Sequence, residues 1–267
     1  MAASDECALY TDPDLYDTLF SNPRHVVSVP DQMRRERILG ARQFYLEEAG
    51  KSVGPILDVG CGSGRLIIPI AQSGAEVWGI DLSAAMLWAA RSKAHAAGLQ
   101  IPLSEADMRS FHLSQRFATI LIAGNALLHL LMADDILQCL KTVRRHLRED
   151  GRLIFDVSKW DLAVLARDAS ERHPVMVVRH PQHGEVSIEE SACYDAATQV
   201  RDITWFLSTP STPDFQLIEY RLRVIFPQEL PLLLDLAGFR LETRYGEFTR
   251  VPFDTSSPRQ VCICSLK

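Results

Sequence analysis

The chain has 267 residues, 47% of them hydrophobic and 23% charged, with a formal net charge of −6. That length suits one large α/β domain with an insertion, or two small domains. The acidic balance argues against a broad electrostatic footprint on nucleic acid. No apolar run is long enough to span a bilayer, and the first residues lack a basic-then-apolar leader pattern. The expectation is a cytoplasmic protein with no membrane and no nucleic-acid partner.

Six cysteines, at 7, 61, 139, 193, 262 and 264, form no CxxC pair and no metal-ligand spacing. Cys262 and Cys264, two apart on a strand, read as core packing of two small apolar thiols; no metal site and no disulfide framework is expected.

Residues 1–32 carry Tyr10, Tyr16 and Phe20 among Asp12, Pro13, Asp14, Asp17, Asn22 and Pro23. Asp14 to Phe20 suits a short amphipathic helix after Pro13, either packed on a sheet edge or lying as a lid over a ligand. From Met33 to Glu48 the spacing predicts a helix with Ile38, Leu39, Phe44, Tyr45 and Leu46 on its apolar face, stopped by Gly50.

Ile56-Leu57-Asp58-Val59 then reads as a buried strand running into Gly60-Cys61-Gly62-Ser63-Gly64-Arg65. Glycines there remove the Cβ atoms that would keep a ligand off the backbone, and the amides of the helix that follows point into the same space. A helix around Leu66 to Ala71 leads to a second strand, Glu76 to Asp81. Ser83 caps a helix through Met86, Leu87, Ala90 and Ala94 that ends at Gly98. A third strand near Ile101 to Ser104 runs into Glu105-Ala106-Asp107-Met108. The fourth strand is Phe117 to Ala123, followed by a helix from Asp134 to Leu147 ended by Gly151. Arg152 to Val157 is the fifth strand. Strands alternating with helices mean stacked βαβ units in a parallel sheet with helices on both faces.

After Val157 the alternation stops. Val175–Val178, Val186–Tyr194, Val200–Ser208 and Gln216–Phe226 read as strands with turns between them, an antiparallel insertion. A helix from Pro227 to Leu236 and two final strands, Arg240–Tyr245 and Val261–Leu266, return to the first plan. The expected organisation is a segment at 1–32, an α/β domain at 33–160 and 227–267, and the insertion at 161–226.

The glycine spacing is G-x-G-x-G, whereas a dinucleotide fingerprint needs its third small residue at position 65, which is arginine. No Gly-Lys-Ser/Thr follows, which excludes a phosphate-cradling P-loop. Asp81 lies where an acid accepts hydrogen bonds from both hydroxyls of a ribose, although a helix-capping Asp has the same sequence appearance. Asp107 suits an adenine amino group, with the Met108 amide donating to the ring.

Leu57-Asp58-Val59-Gly60-Cys61-Gly62-Ser63-Gly64, Trp78-Gly79-Ile80-Asp81, Glu105-Ala106-Asp107-Met108 and Leu147 to Ile154 together resemble the ordered signature set of class I S-adenosylmethionine-dependent methyltransferases, small-molecule type. The resemblance implies a Rossmann-like seven-stranded, mostly parallel sheet whose last strand is antiparallel. It implies that the Gly60, Cys61, Gly62 and Gly64 loop faces the cofactor's amino-acid part with Asp58 near its amino group. Asp81 then takes the ribose and Asp107 with Met108 the adenine; Leu82, Met86, Asn125 and Tyr16 complete the expected cofactor set. Glu149-Asp150 departs from the family's common Pro-Gly at a turn remote from the site.

Asn125-Ala126-Leu127-Leu128-His129 resembles the segment bearing an active-site histidine in methyltransferases that act on amino sugars and similar amines. His129 is a candidate general base, or a packed histidine among leucines. Tyr10 and Tyr16 resemble the N-terminal tyrosines that close the cofactor site in that group, and Tyr16 is a second catalytic candidate; lid packing is the other reading. On the insertion, Trp205, Tyr220, Arg221 and Arg223 are acceptor-binding candidates. Arg221 and Arg223 share a strand face and suit an anionic group, or else form a solvated face. The insertion is equally placed to mediate homodimer contacts.

The expected function is transfer of the S-adenosyl-L-methionine methyl group to N or O of a small-molecule acceptor. The absence of an Asn-Pro-Pro-Tyr-like segment after the fourth strand disfavours exocyclic base amines or protein glutamine. Two alternatives are a NAD-type oxidoreductase, opposed by the glycine spacing and by the lack of a Tyr-x-x-x-Lys pair, and a non-catalytic cofactor-binding module.

Overall fold

A computed structural model describes residues 8–21, 25–28 and 33–267. Cys7, Asn22 and Pro23, and the side chain of Ile38, lie outside the described residues. In chain order the elements are α1 (Ala8–Thr11), α2 (Pro13–Phe20), β1 (Val26–Ser28), α3 (Met33–Gly50), β2 (Ile56–Val59), α4 (Ile67–Gln72), β3 (Val77–Asp81), α5 (Ala84–Ala96), β4 (Leu103–Glu105), β5 (Phe117–Ile122), α6 (Ala133–His146), β6 (Leu147–Ser158), α7 (Leu162–Leu165), β7 (His173–His180), β8 (Gly184–Asp195), β9 (Val200–Ser208), β10 (Gln216–Arg223), α8 (Glu229–Leu236), β11 (Phe239–Tyr245) and β12 (Arg259–Leu266). A 3-10 turn, Ala126–His129, joins β5 to α6.

The main sheet has seven strands in the order β11-β12-β6-β5-β2-β3-β4. Strands β2 to β6 pair in parallel, and β12 runs antiparallel to both β6 and β11. Every residue of β2 is buried, as is nearly all of β5, which is what a strand covered by helices on both faces requires. The chain leaves β2 toward β3 on one side and returns to β5 on the other. The crevice at the carboxyl ends of β2 and β5 is therefore the topological switch point where such sheets bind ligands.

The second sheet is antiparallel, in the order β1-β7-β8-β9-β10. Four of its strands are the ones expected between 174 and 226. The fifth, β1, comes from the N-terminal segment and pairs with β7. Three residues without alternation gave no periodic signal, so only the tertiary pairing reveals that strand.

Some local expectations are corrected. The helix before the fifth sheet strand ends at His146 rather than Gly151, and the chain enters β6 directly at Leu147. Along α3, Phe44 and Tyr45 are buried as expected, whereas Leu39 stands half exposed. No helix among the described residues is long and apolar enough to cross a membrane.

Asp156, fully buried on β6, ties the sheet to its surroundings. One of its oxygens accepts from the Tyr45 hydroxyl at 2.6 Å and the Gly124 amide at 2.8 Å, and the other pairs with Arg259 at 3.1 Å. A buried carboxylate is tolerated when each oxygen has a donor. Tyr45→Phe removes one of these donors without changing the packing volume much. It should lower unfolding free energy by about 1–2 kcal/mol, read from urea denaturation, with the cooperativity of the transition unchanged.

Candidate functional site

Gly60, Gly62 and Gly64 form the turn from β2 toward α4, all with positive φ. At Gly62, φ is +54°, and an added Cβ would lie 3.5 Å from the Tyr16 hydroxyl. At Gly64, φ is +92°, and a Cβ would meet Ile68 at 2.8 Å. The positive φ favours glycine at both positions, and at Gly64 a side chain would also have to displace Ile68. Cys61, between them, points the other way: it is buried beside Gly79, and burial raises its thiol well above the usual range. It contributes packing and backbone to the loop, not a reactive thiol.

Asp81, the last residue of β3, holds this loop. One carboxylate oxygen accepts from the Gly62 amide at 2.7 Å and the other from the Ser83 amide at 2.9 Å. Burial raises the Asp81 pKa, and those backbone N–H groups oppose the rise. Ser83 also caps α5 by accepting from the Met86 amide at 3.3 Å. Met86 itself is fully buried in the helix packing, and Leu82 is 58% exposed. Asp107 lies on the adjoining loop with Arg109, whose hydrogen bonds hold its carboxyl below the ordinary range. Met108 packs toward Gly60, its methyl 3.9 Å from where a Cβ would stand.

Asp58, on β2, is 2% exposed and its Oδ1 has no hydrogen-bond partner among the described residues. Burial pushes its pKa up to about 7; Arg65 pulls it down, and the charge of Asp81 adds to the rise. A buried acceptor without a donor is costly and calls for a ligand donor. An ammonium group, such as the amino-acid end of S-adenosylmethionine carries, would supply one, so the residues present fit that cofactor.

Asn125 takes the left-handed conformation at φ 67°, which asparagine tolerates. Its side chain binds the Ser158 amide and hydroxyl, tying the loop after β5 to the end of β6. His129, at the end of the 3-10 turn, places Nε2 2.8 Å from the Tyr10 hydroxyl. Burial lowers its pKa to about 4, so the ring is neutral at physiological pH.

The N-terminal segment is latched across the glycine loop. Asp17 on α2 accepts from the Ser63 hydroxyl at 2.6 Å and pairs with Lys93 of α5, and Lys93 also reaches the Ser63 carbonyl at 3.1 Å. The Ser83 hydroxyl donates to the Tyr10 carbonyl at 2.7 Å. From there an aromatic row runs Tyr10–Tyr16–Phe20–Trp205–Tyr220, with ring centres 5.1–6.1 Å apart. The latch residues Asp17, Ser63 and Lys93 escaped sequence reasoning because a pairing across 46 or 76 residues leaves no local signal.

On the insertion, Trp205 and Tyr220 join this row. Arg221 is exposed, whereas Arg223 is buried and engaged by Glu229, Gln199 and the Leu131 carbonyl. The shared face expected of the two arginines does not produce a paired anion clamp, because the end of β10 turns Arg223 into structural bonds. Glu190, Arg201 and Trp160, which the sequence did not single out, meet behind Trp205.

The folded protein keeps the Asp58 proton up to about pH 7, whereas an unfolded Asp releases it near 3.8. Wild-type stability should therefore fall as pH rises from about 4 to about 7. Asp58→Asn escapes this loss: its gain over wild type should be negligible at pH 4 and approach at most about 4 kcal/mol at pH 8, read by chemical unfolding. The same variant should bind S-adenosylhomocysteine at least about 10-fold more weakly by calorimetry, since a charge-assisted bond is lost.

Residues 56–151 match the family model described as "Methyltransferase domain". The chain is 27% identical over 219 residues to the provisionally assigned methyltransferase YqeM of Bacillus subtilis, covering 80% of this chain and 85% of that one. A provisionally assigned methyltransferase of Geobacillus sp. is 33% identical over 48% of this chain, and the alignment spans about half (53%) of that relative's length. Among solved structures, the CcbJ methyltransferase from Streptomyces caelestis superposes with a TM-score of 0.73 at 26% identity, over 85% of this chain and 89% of that one. The matched domain runs from the strand carrying Asp58 through the glycine loop, Asp81 and Asp107, and the sheet around it has the reversed last strand expected of the fold; these findings support a class I S-adenosylmethionine-dependent methyltransferase.

Proposed function

We propose that the protein methylates an amine nitrogen of a small, polar acceptor. The observation that carries this reading is the roof over the crevice: α2 is latched to the glycine loop through Asp17, Ser63 and Lys93, and its aromatic row continues into the insertion at Trp205. A crevice covered on that side suits an acceptor small enough to be enclosed and gives a polymer chain little room to lie across it.

The cofactor supplies a methyl group already activated on a positively charged sulfur. What the chain must do is bind, align and exclude water, and alignment alone can supply much of the rate of an in-line displacement. Asp58 and Asp81 hold the two ends of the cofactor's polar frame. Tyr16 lies over Gly62, where an aromatic face favours positive charge. His129 and Tyr10 close the acceptor side.

Nitrogen is favoured over oxygen by the state of His129. A hydroxyl must give up its proton as it attacks, which needs a base with some appetite for it; an imidazole held near pKa 4 has little. A neutral amine brings its own lone pair and loses its proton only afterwards. His129 then serves to seat the Tyr10 hydroxyl and the acceptor rather than to drive deprotonation. The resemblance of the 125–129 segment to enzymes acting on amino sugars agrees with this reading. The buried thiols of Cys61, Cys139, Cys262 and Cys264 suit a reducing compartment, in keeping with the cytoplasmic expectation.

The test is a panel of small amines and matched alcohols with methyl-labelled S-adenosylmethionine, read by mass. Label should appear on amines, in a rate that rises with the acceptor's own deprotonation and shows no step near pH 6.5. Transfer to alcohols alone would defeat the amine reading. His129→Ala should lower turnover at least about 10-fold while S-adenosylhomocysteine affinity changes less than about 3-fold; unchanged turnover would remove His129 from the site.

A further inference from the structure

Behind the aromatic row lies a buried polar cluster that the cofactor site does not use. Arg201 of β9 is 2% exposed, on the buried face of that strand together with Ile203, Trp205 and Leu207. Its Nη2 donates to Glu190 at 3.1 Å, and the second Glu190 oxygen accepts from the Trp205 indole at 2.9 Å. The guanidinium carbon stands 4.1 Å from the ring centre of Trp160, on the loop that leaves β6 two residues after Ser158. Two donors of this cluster, Arg201 Nη1 and Trp160 Nε1, are buried with no partner among the described residues.

We propose that Arg201 and Trp160 form a two-donor subsite that binds an uncharged oxygen, a hydroxyl or carbonyl, of the acceptor; the assignment rests on the methyltransferase reading of the crevice it borders. Its position follows from its neighbours. Trp160 follows the Ser158 that Asn125 binds at the open ends of β5 and β6, and Glu190 is bonded to Trp205 of the aromatic roof.

The charge count sets the ligand chemistry. Glu190 already balances Arg201, so the cluster is neutral overall. A carboxylate or phosphate entering it would add an uncompensated negative charge in a place removed from water, which is expensive. A hydroxyl or carbonyl oxygen satisfies both N–H groups and leaves the balance intact. Buried N–H donors paired with a matching ligand oxygen also discriminate, because an analogue lacking that oxygen leaves them unpaired. Arg201 and Trp160 thus act as specificity-determining residues, distinct from the arginines of β10.

The experiment uses the full chain saturated with S-adenosylhomocysteine and three probes: trans-2-aminocyclohexanol, cyclohexylamine and trans-2-aminocyclohexanecarboxylate. Indole ¹⁵N spectra report Trp160, its signal assigned by loss in Trp160→Phe, which keeps the stacking surface and removes only the donor. The hydroxyl probe should shift the Trp160 signal and bind about 5- to 10-fold more tightly than the other two, about the net value of one hydrogen bond. In Trp160→Phe that preference should fall below about 2-fold, with S-adenosylhomocysteine affinity unchanged. Arg201→Gln paired with Glu190→Gln, which avoids a lone buried charge, should erase it as well. The proposal is overturned if the carboxylate probe is preferred, if no probe binds, if the preference survives Trp160→Phe, or if that variant loses cofactor affinity. Methyl transfer to the same probes is scored separately with S-adenosylmethionine. Its absence beside an intact hydroxyl preference would remove the amine reading and leave the subsite standing.

Discussion

The grip of Asp81 on the glycine loop is the constraint on which the site depends. One carboxylate joins the end of β3, the turn after β2 and the start of α5 through two backbone amides. The glycines that let the turn adopt positive φ would otherwise leave it the most flexible part of the crevice. The latch from α2 lands on the same turn, at Ser63, and on the same helix, at Lys93. The cofactor end of the crevice is therefore preorganised from below by the sheet and from above by the N-terminal segment, so binding there spends little on ordering the protein.

Two buried acids on strands flanking β5 show how environment separates two carboxylates of the same sheet. Asp156 has donors on both oxygens, from Tyr45, Gly124 and Arg259, and holds the sheet together. Asp58 lacks a donor on one oxygen and sits near Asp81, so burial and like charge push its pKa to about 7. The same residue type is thus fully bonded in one place and left with an unpartnered oxygen in the other. The stability given up at Asp58 is the kind of local strain that binding sites retain.

The acceptor side is built differently. As proposed above, it draws on four distant stretches: Tyr10 and Phe20 near the start, His129 after β5, Trp160 after β6, and Trp205 with Arg201 on the insertion. Aromatic rings supply shape at low entropic cost, while the few buried donors supply selectivity. Tyr10 is bonded both to Ser83, beside the glycine loop, and to His129, so the N-terminal segment ties the two halves of the crevice together.

The sequence by itself determined the alternation of strands and helices, the glycine loop, and the order of the acids at 58, 81 and 107, because these are local patterns with a fixed spacing. Its periodicity also separated the insertion from the parallel sheet. What only the tertiary structure decided were contacts between residues far apart in the chain. The strand Val26–Ser28 joined the second sheet, Asp17 found Ser63 and Lys93, His129 was buried against Tyr10, and Arg223 turned away from Arg221 into bonds with Glu229. Protonation belongs to the same class. That Asp58 sits near 7 and His129 near 4 follows from desolvation, which depends on what the folded chain packs around a group and leaves no trace in the spacing of its neighbours.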